Sequence, residues 1–104
     1  MASSRAYLDF ILDQLSGVDG VTWHAMMGEY ILYFKGRIFG GIYDDRLLIK
    51  PTNAARALMP GALSEVPYEG AKEMLLVERV EDRAFLEELL IKMYVELPAP
   101  KKRR

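Results

Sequence analysis

Few residues in this chain have the type and spacing for chemistry. His24 is the single histidine among 104 residues, which excludes a metal site built from several histidines and leaves an acid–base role without a partner in the sequence. A structural or surface histidine on a strand is the simpler reading. Asp44-Asp45, together with Glu29, offers carboxylates to a cation such as magnesium, but cation loops place several oxygen donors at fixed offsets and this stretch does not. Turn chemistry accounts for the pair, because Asp tolerates left-handed geometry and hydrogen-bonds nearby amides. Arg37, Arg46 and Lys50 lie among Tyr30, Phe34, Phe39 and Tyr43, the combination with which some sheets stack single-stranded bases and hold phosphates. The signature motifs of such modules are absent. The expectation is therefore no catalytic residues, no metal and no cofactor.

Composition narrows the class further. A chain that is 51% hydrophobic and 28% charged is an ordinary single globular domain, expected over residues 1–100. The net charge of -1 hides an asymmetry, since residues 101–104 are all basic and the remainder carries 10 basic against 15 acidic residues. An acidic body argues against DNA binding by the bulk of the surface. The last four residues are expected to form a disordered basic tail. With no cysteine, disulfides, thiolate metal sites and Cys nucleophiles are excluded. No apolar run approaches a bilayer span and no secretion signal opens the chain, so the expected location is the cytoplasm, with no membrane partner.

The chain is organised around residues 26–50, MMGEYILYFKGRIFGGIYDDRLLIK, whose β-branched and aromatic content predicts three antiparallel strands. Lys35-Gly36 and Asp44-Asp45 are the expected two-residue turns. Those turns set a register in which Phe34 faces Arg37, Leu32 faces Phe39, Tyr43 faces Arg46 and Gly41 faces Leu48. One face then gathers Ile31, Tyr33, Ile38, Gly40, Ile42, Leu47 and Ile49 and is the expected core. The other carries Tyr30, Leu32, Phe34, Arg37, Phe39, Tyr43, Arg46, Leu48 and Lys50, more apolar than a solvated face requires, so that something is expected to cover part of it.

The flanks supply the helices. Apolar residues at three- and four-residue spacing predict a helix over residues 4–16, capped by Ser3 or Ser4 and stopped by Gly17. Residues 21–27 alternate as a first strand, with a turn beginning at Gly28-Glu29. A short helix capped by Thr52 is expected over 52–59, an irregular loop over 60–71, a fifth strand over 73–79 and a helix capped by Asp82 over 82–96. The predicted fold is α+β: an N-terminal helix, an antiparallel sheet of about five strands and a C-terminal helix, with the helices on one sheet face. The uncovered face predicts a homodimer, the commonest soluble assembly.

The central run resembles the N-terminal domain of the TfoX family, found in bacterial regulators of natural competence and in small stand-alone proteins. Met26, Gly28, Tyr30, Leu32 and Tyr33 are similar to the family's opening segment, Gly36, Phe39, Gly40 and Ile42 to its next, and Asp44-Asp45-Arg46-Leu47 with Ile49-Lys50 to its third. Glu29 and Ile31 stand where the family has glycines, and Met27 where it has Phe. The resemblance implies an α-β-α fold like that of secretion chaperones, a role in protein or regulatory interactions, and no catalytic residues. The leading expectation is thus a non-enzymatic regulatory module that binds an unidentified protein partner and dimerises. Its alternatives are a nucleic-acid-binding module using the aromatic and basic face, and an enzyme with a site built from loops 28–29 and 60–71.

Overall fold

The computed structural model describes residues 3–99; the expected basic tail at 101–104 lies outside them. Helix α1 spans Arg5–Gln14, and its start is set by Ser4, whose Oγ accepts the Tyr7 N–H at 3.1 Å. Four strands follow in a meander: β1 (Val21–Met26), β2 (Glu29–Phe34), β3 (Arg37–Tyr43) and β4 (Arg46–Ile49). The turns at Met27-Gly28, Lys35-Gly36 and Asp44-Asp45 hold both central residues at positive φ, between 51° and 85°. That is the type I′ geometry whose twist matches the flanking strands. The first turn thus begins one residue earlier than Gly28-Glu29, and Glu29 opens β2 instead.

After β4 come α2 (Asn53–Leu58), β5 (Ser64–Glu65), β6 (Met74–Leu76), α3 (Arg83–Met93) and a 3-10 turn at Tyr94–Glu96. The antiparallel sheet has the order β1-β2-β3-β4-β6-β5. It holds six strands rather than about five, because two residues of the segment read as an irregular loop pair with β6. Thr52 Oγ1 accepts the Ala55 N–H at 3.0 Å, and Glu96 accepts the Asn53 and Ala54 N–H groups at 2.8 and 2.9 Å. All three first-turn donors of α2 are thereby satisfied, one by its own cap and two from the chain's far end. Arg83 donates to the Asp13 carbonyl and carboxylate at 2.8 and 2.7 Å, tying the start of α3 to the end of α1.

The helices cover one face of the sheet, and which residues form that face is decided by a β-bulge. Tyr30, Leu32 and Ile31 oppose Ile42, Gly40 and Gly41, whereas Tyr33 and Phe34 oppose Ile38 and Arg37. Phe39 is the extra residue of β3, without a partner on β2, while its carbonyl accepts the Lys50 N–H at 2.9 Å on the β4 side. The expected Leu32–Phe39 pairing therefore does not form. Residues before and after Phe39 exchange faces, since a slip of one residue inverts the side-chain alternation. The core unites Leu8, Ile11 and Leu15 with Phe85, Leu86, Leu89, Leu90 and Met93 over Leu32, Phe34, Phe39, Ile42, Leu47, Ile49, Leu75 and Val77. Ile42, Leu47 and Ile49 are core as expected. Ile31, Tyr33 and Ile38 are not; they lie on the outer face, and Leu32, Phe34 and Phe39 take their place.

Candidate interaction surface

The nine residues expected to share an open face are divided between two faces. Tyr30 lies on the helix side, its ring edge-on to Trp23 at 5.6 Å, and Arg5 of α1 stands 5.0 Å over the same Trp23 ring. Leu32, Phe34 and Phe39 are buried in the core. Arg37 also turns to the helix side, where it donates to the Leu97 carbonyl at 3.0 Å and covers the Tyr94 ring at 4.5 Å. Only Tyr43, Arg46 and Leu48 keep to the outer face, and Lys50 follows the end of β4. The aromatic and basic platform that would stack bases is not assembled, because Phe34 and Phe39 are core, Tyr30 and Tyr43 lie on opposite faces, and Arg37 and Arg46 point to opposite sides of the sheet.

The outer face is half closed by the chain itself. Arg46 forms an ion pair with Glu65 of β5 and donates from Nε to the Tyr43 carbonyl at 3.0 Å. Tyr68, three residues beyond, brings its ring to 6.2 Å from that of Tyr43. The Tyr43 ring folds back over Gly41, where a Cβ would stand 2.6 Å from its edge. Leu48, on this face, is fully buried. The expected cover is therefore the segment around residues 64–68, over the β3, β4 and β6 side of the sheet.

The β1–β2 half has no such cover among the described residues. Cross-strand pairing sets Thr22 beside Tyr33 and His24 beside Ile31, and Tyr33 beside Ile38. Met26, at the end of the same row, is 46% exposed and Ile38 37%. The result is an apolar strip of Met26, Ile31, Tyr33 and Ile38 with Thr22 and His24 on its outer margin, beside an edge strand whose every residue after Val21 is exposed. His24 is a surface histidine on a strand. The strip was hidden in the sequence by the bulge, whose one signal is the adjacent Gly40-Gly41 in a strand interior.

Two of the three candidate carboxylates, Glu29 and Asp45, are engaged with backbone and hydroxyl donors. Glu29 Oε1 accepts from Ser3 and from the Asp44 N–H, and Asp45 Oδ1 accepts the Ser4 N–H at 2.8 Å. Among the described residues, no group of three or more His, Asp or Glu is arranged to hold a metal ion. Loops 28–29 and 60–71 approach one another at Tyr43, whose phenol is pushed above its ordinary 10.0 by burial, then by Tyr68 and Glu29. Such a phenol stays protonated at neutral pH. No helix among the described residues is long and apolar enough to cross a membrane.

No family model and no solved structure matches the chain. A curated relative does: the uncharacterized 12.7 kDa protein in trpE 5'region of Spirochaeta aurantia is 35% identical over 105 residues, spanning all of this chain and 91% of that protein. With identity at that level over essentially both full lengths, the chain belongs to the family of this Spirochaeta aurantia protein.

Proposed function

We propose that this protein is a small non-enzymatic interaction module of the cytoplasm that binds a protein partner through the uncovered β1–β2 half of its outer sheet face. The observation that carries this reading is the contrast within one face: on the β3–β4 side the chain's own segment leaves Leu48 fully buried, while on the β1–β2 side Ile31 and Tyr33 are half-buried and Met26 and Ile38 exposed, beside a free edge. Apolar strips with a polar margin mark protein contacts on otherwise ordinary surfaces. A regulatory role of the kind implied by the TfoX-like central run is compatible with such a surface and needs no catalytic group.

The test is affinity capture from native lysate with wild-type protein and with Ile38→Lys, each with and without nuclease. Ile38 is solvent-facing, so the substitution leaves folding intact by circular dichroism. A partner retained through nuclease by the wild type and lost by the variant is the expected result. Material that disappears with nuclease would instead make nucleic acid the ligand. A partner held equally by both proteins would move the binding surface off this strip.

A further inference from the structure

We infer that β1 pairs with the β1 of a second copy, joining the two sheets edge to edge about a two-fold axis at Trp23. The inference deepens the interaction-module reading and rests on it.

The two edges of the sheet are unlike. At one edge, β5 is two residues long, carries Glu65 in an ion pair and is followed by Pro67, features that discourage further pairing. At the other edge, β1 is six residues long and in unbroken register with β2, with no proline, no bulge and neither Lys nor Arg nor carboxylate. Its free side has no pairing partner among the described residues.

Which backbone groups face outward follows from the ladder. Lys35 N–H donates to the Gly20 carbonyl at 2.8 Å, so the pair at residue 20 is a hydrogen-bonded one. Antiparallel ladders alternate hydrogen-bonded and non-hydrogen-bonded pairs, so Thr22, His24 and Met26 bond to β2. Val21, Trp23 and Ala25 therefore direct their N–H and C=O groups out of the edge. An antiparallel second copy that keeps the helix-side and outer faces aligned must pair residues of like alternation. Centring the axis on Trp23 sets Val21 opposite Ala25 and Thr22 opposite His24, and it engages all three outward residues at once.

Charge selects the occupant. Residues 3–99 carry 10 basic and 15 acidic groups, so two copies repel wherever their acidic surfaces meet. From Gly20 to Gly28 there is no Lys, Arg, Asp or Glu. This is a stretch that two acidic chains can share, and it offers nothing to attract a charged peptide. In the Trp23 register His24 faces Thr22 of the copy and β1 itself opposes no like charges; Arg5, which stands over each Trp23 ring on the helix side, carries its own counter-charge in Asp9 at 3.0 Å. The paired sheet would place the two apolar outer strips side by side on one continuous face.

The experiment is light scattering after size exclusion at about 100 μM, a concentration that populates micromolar dimers, on wild type and Ala25→Pro. Proline at residue 25 removes an outward N–H and leaves the β1–β2 ladder intact. The wild type is expected at twice the 11.9 kDa chain mass, and the folded variant at that mass itself. A monomeric wild type, or a folded Ala25→Pro that remains dimeric, would overturn the pairing. Should the variant not fold, amide exchange of the wild type decides. Protection of the Val21, Trp23 and Ala25 amides that rises with concentration supports the pairing, and fast exchange at every concentration refutes it. A monomer whose partner capture still depends on Ile38 refutes this inference alone, while a dimer whose capture ignores Ile38 supports it and refutes the strip.

Discussion

Ser3 Oγ donates a 2.5 Å hydrogen bond to Glu29 Oε1, and the same oxygen accepts the backbone N–H groups of Ser3 at 3.1 Å and Asp44 at 3.2 Å. The Asp45 N–H returns a bond to Ser3 Oγ at 3.0 Å. One carboxylate thus fastens the segment entering α1 to the first and third hairpin turns of the meander.

Glu29→Ala should therefore destabilise the fold, because it removes the acceptor of the Asp44 N–H and leaves the Ser3 hydroxyl only its longer bond to the Ile42 carbonyl at 3.3 Å. The expected cost is about 1–3 kcal/mol. Glu29→Gln retains an oxygen in the same place and should lose less than the alanine. Urea midpoints of the three proteins at neutral pH measure the order, and an alanine variant as stable as wild type would show the fastening to be energetically idle.

The same bonds bear on cation binding. Since Glu29 Oε1 and Asp45 Oδ1 already serve backbone and hydroxyl donors, a cation would have to displace them. Magnesium at millimolar concentration, or its removal by EDTA, should leave the thermal midpoint unchanged; a ligand that binds only the native state would raise it.

The bulge at Phe39 makes opposite forecasts for adjacent residues. Phe39 is fully buried and Ile38 is 37% exposed. Phe39→Ala should cost about 3–5 kcal/mol, and Ile38→Ser less than about 1 kcal/mol. An uninterrupted register would reverse the order, so equilibrium denaturation of the two variants tests the position of the slip directly.

Much of this architecture is legible in the chain and some is not, for reasons of range. Turn chemistry at Lys35-Gly36 and Asp44-Asp45 is local, as are the caps at Ser4, Thr52 and Asp82, and each lies where spacing and residue type place it. The bulge is a tertiary choice. Nothing within RIFGGIY fixes whether Phe39 or Ile38 turns inward until α1 and α3 supply a core that an aromatic ring fills. That single slip moves Ile31, Tyr33 and Ile38 from the expected core to the outer face, and so conceals the candidate site. Strand β5 is hidden for a different reason: two residues among Pro60, Gly61, Pro67 and Gly70 carry no periodicity. The role of Glu29 depends on Ser3, 26 positions away, and is beyond any local rule.

Gly40 is a position where size alone decides. A Cβ there would stand against the Leu48 carbonyl oxygen and 2.9 Å from Ile49 Cα, and both obstacles are backbone of the paired strand. Gly40→Ala must push β3 from β4, at an expected cost of about 3 kcal/mol. Gly17, with nothing within 4 Å of a built Cβ, is the control, and Gly17→Ala should change stability by less than ~0.5 kcal/mol. Equal effects at the two glycines would contradict the close approach of β3 and β4.

Asp82 should govern part of the acid sensitivity. Its carboxylate accepts the Phe85 N–H at 3.0 Å and pairs with Arg79 at 2.6 Å. The backbone bond first, then Arg79, holds the acid below its ordinary 3.8. A depressed folded value means that the unfolded chain binds the proton more readily. The stabilisation is therefore complete above the unfolded value and is lost as pH falls through the folded one. Thermal midpoints should thus fall with acidification below about pH 4. Asp82→Asn keeps a capping oxygen for Phe85 but cannot titrate, so its midpoint should fall less steeply over that window. Asp82→Ala, lacking the cap, should unfold several degrees lower even at neutral pH. Parallel curves for wild type and Asp82→Asn down to about pH 2.5 would show that the ionised carboxylate gives α3 nothing beyond what a neutral cap supplies.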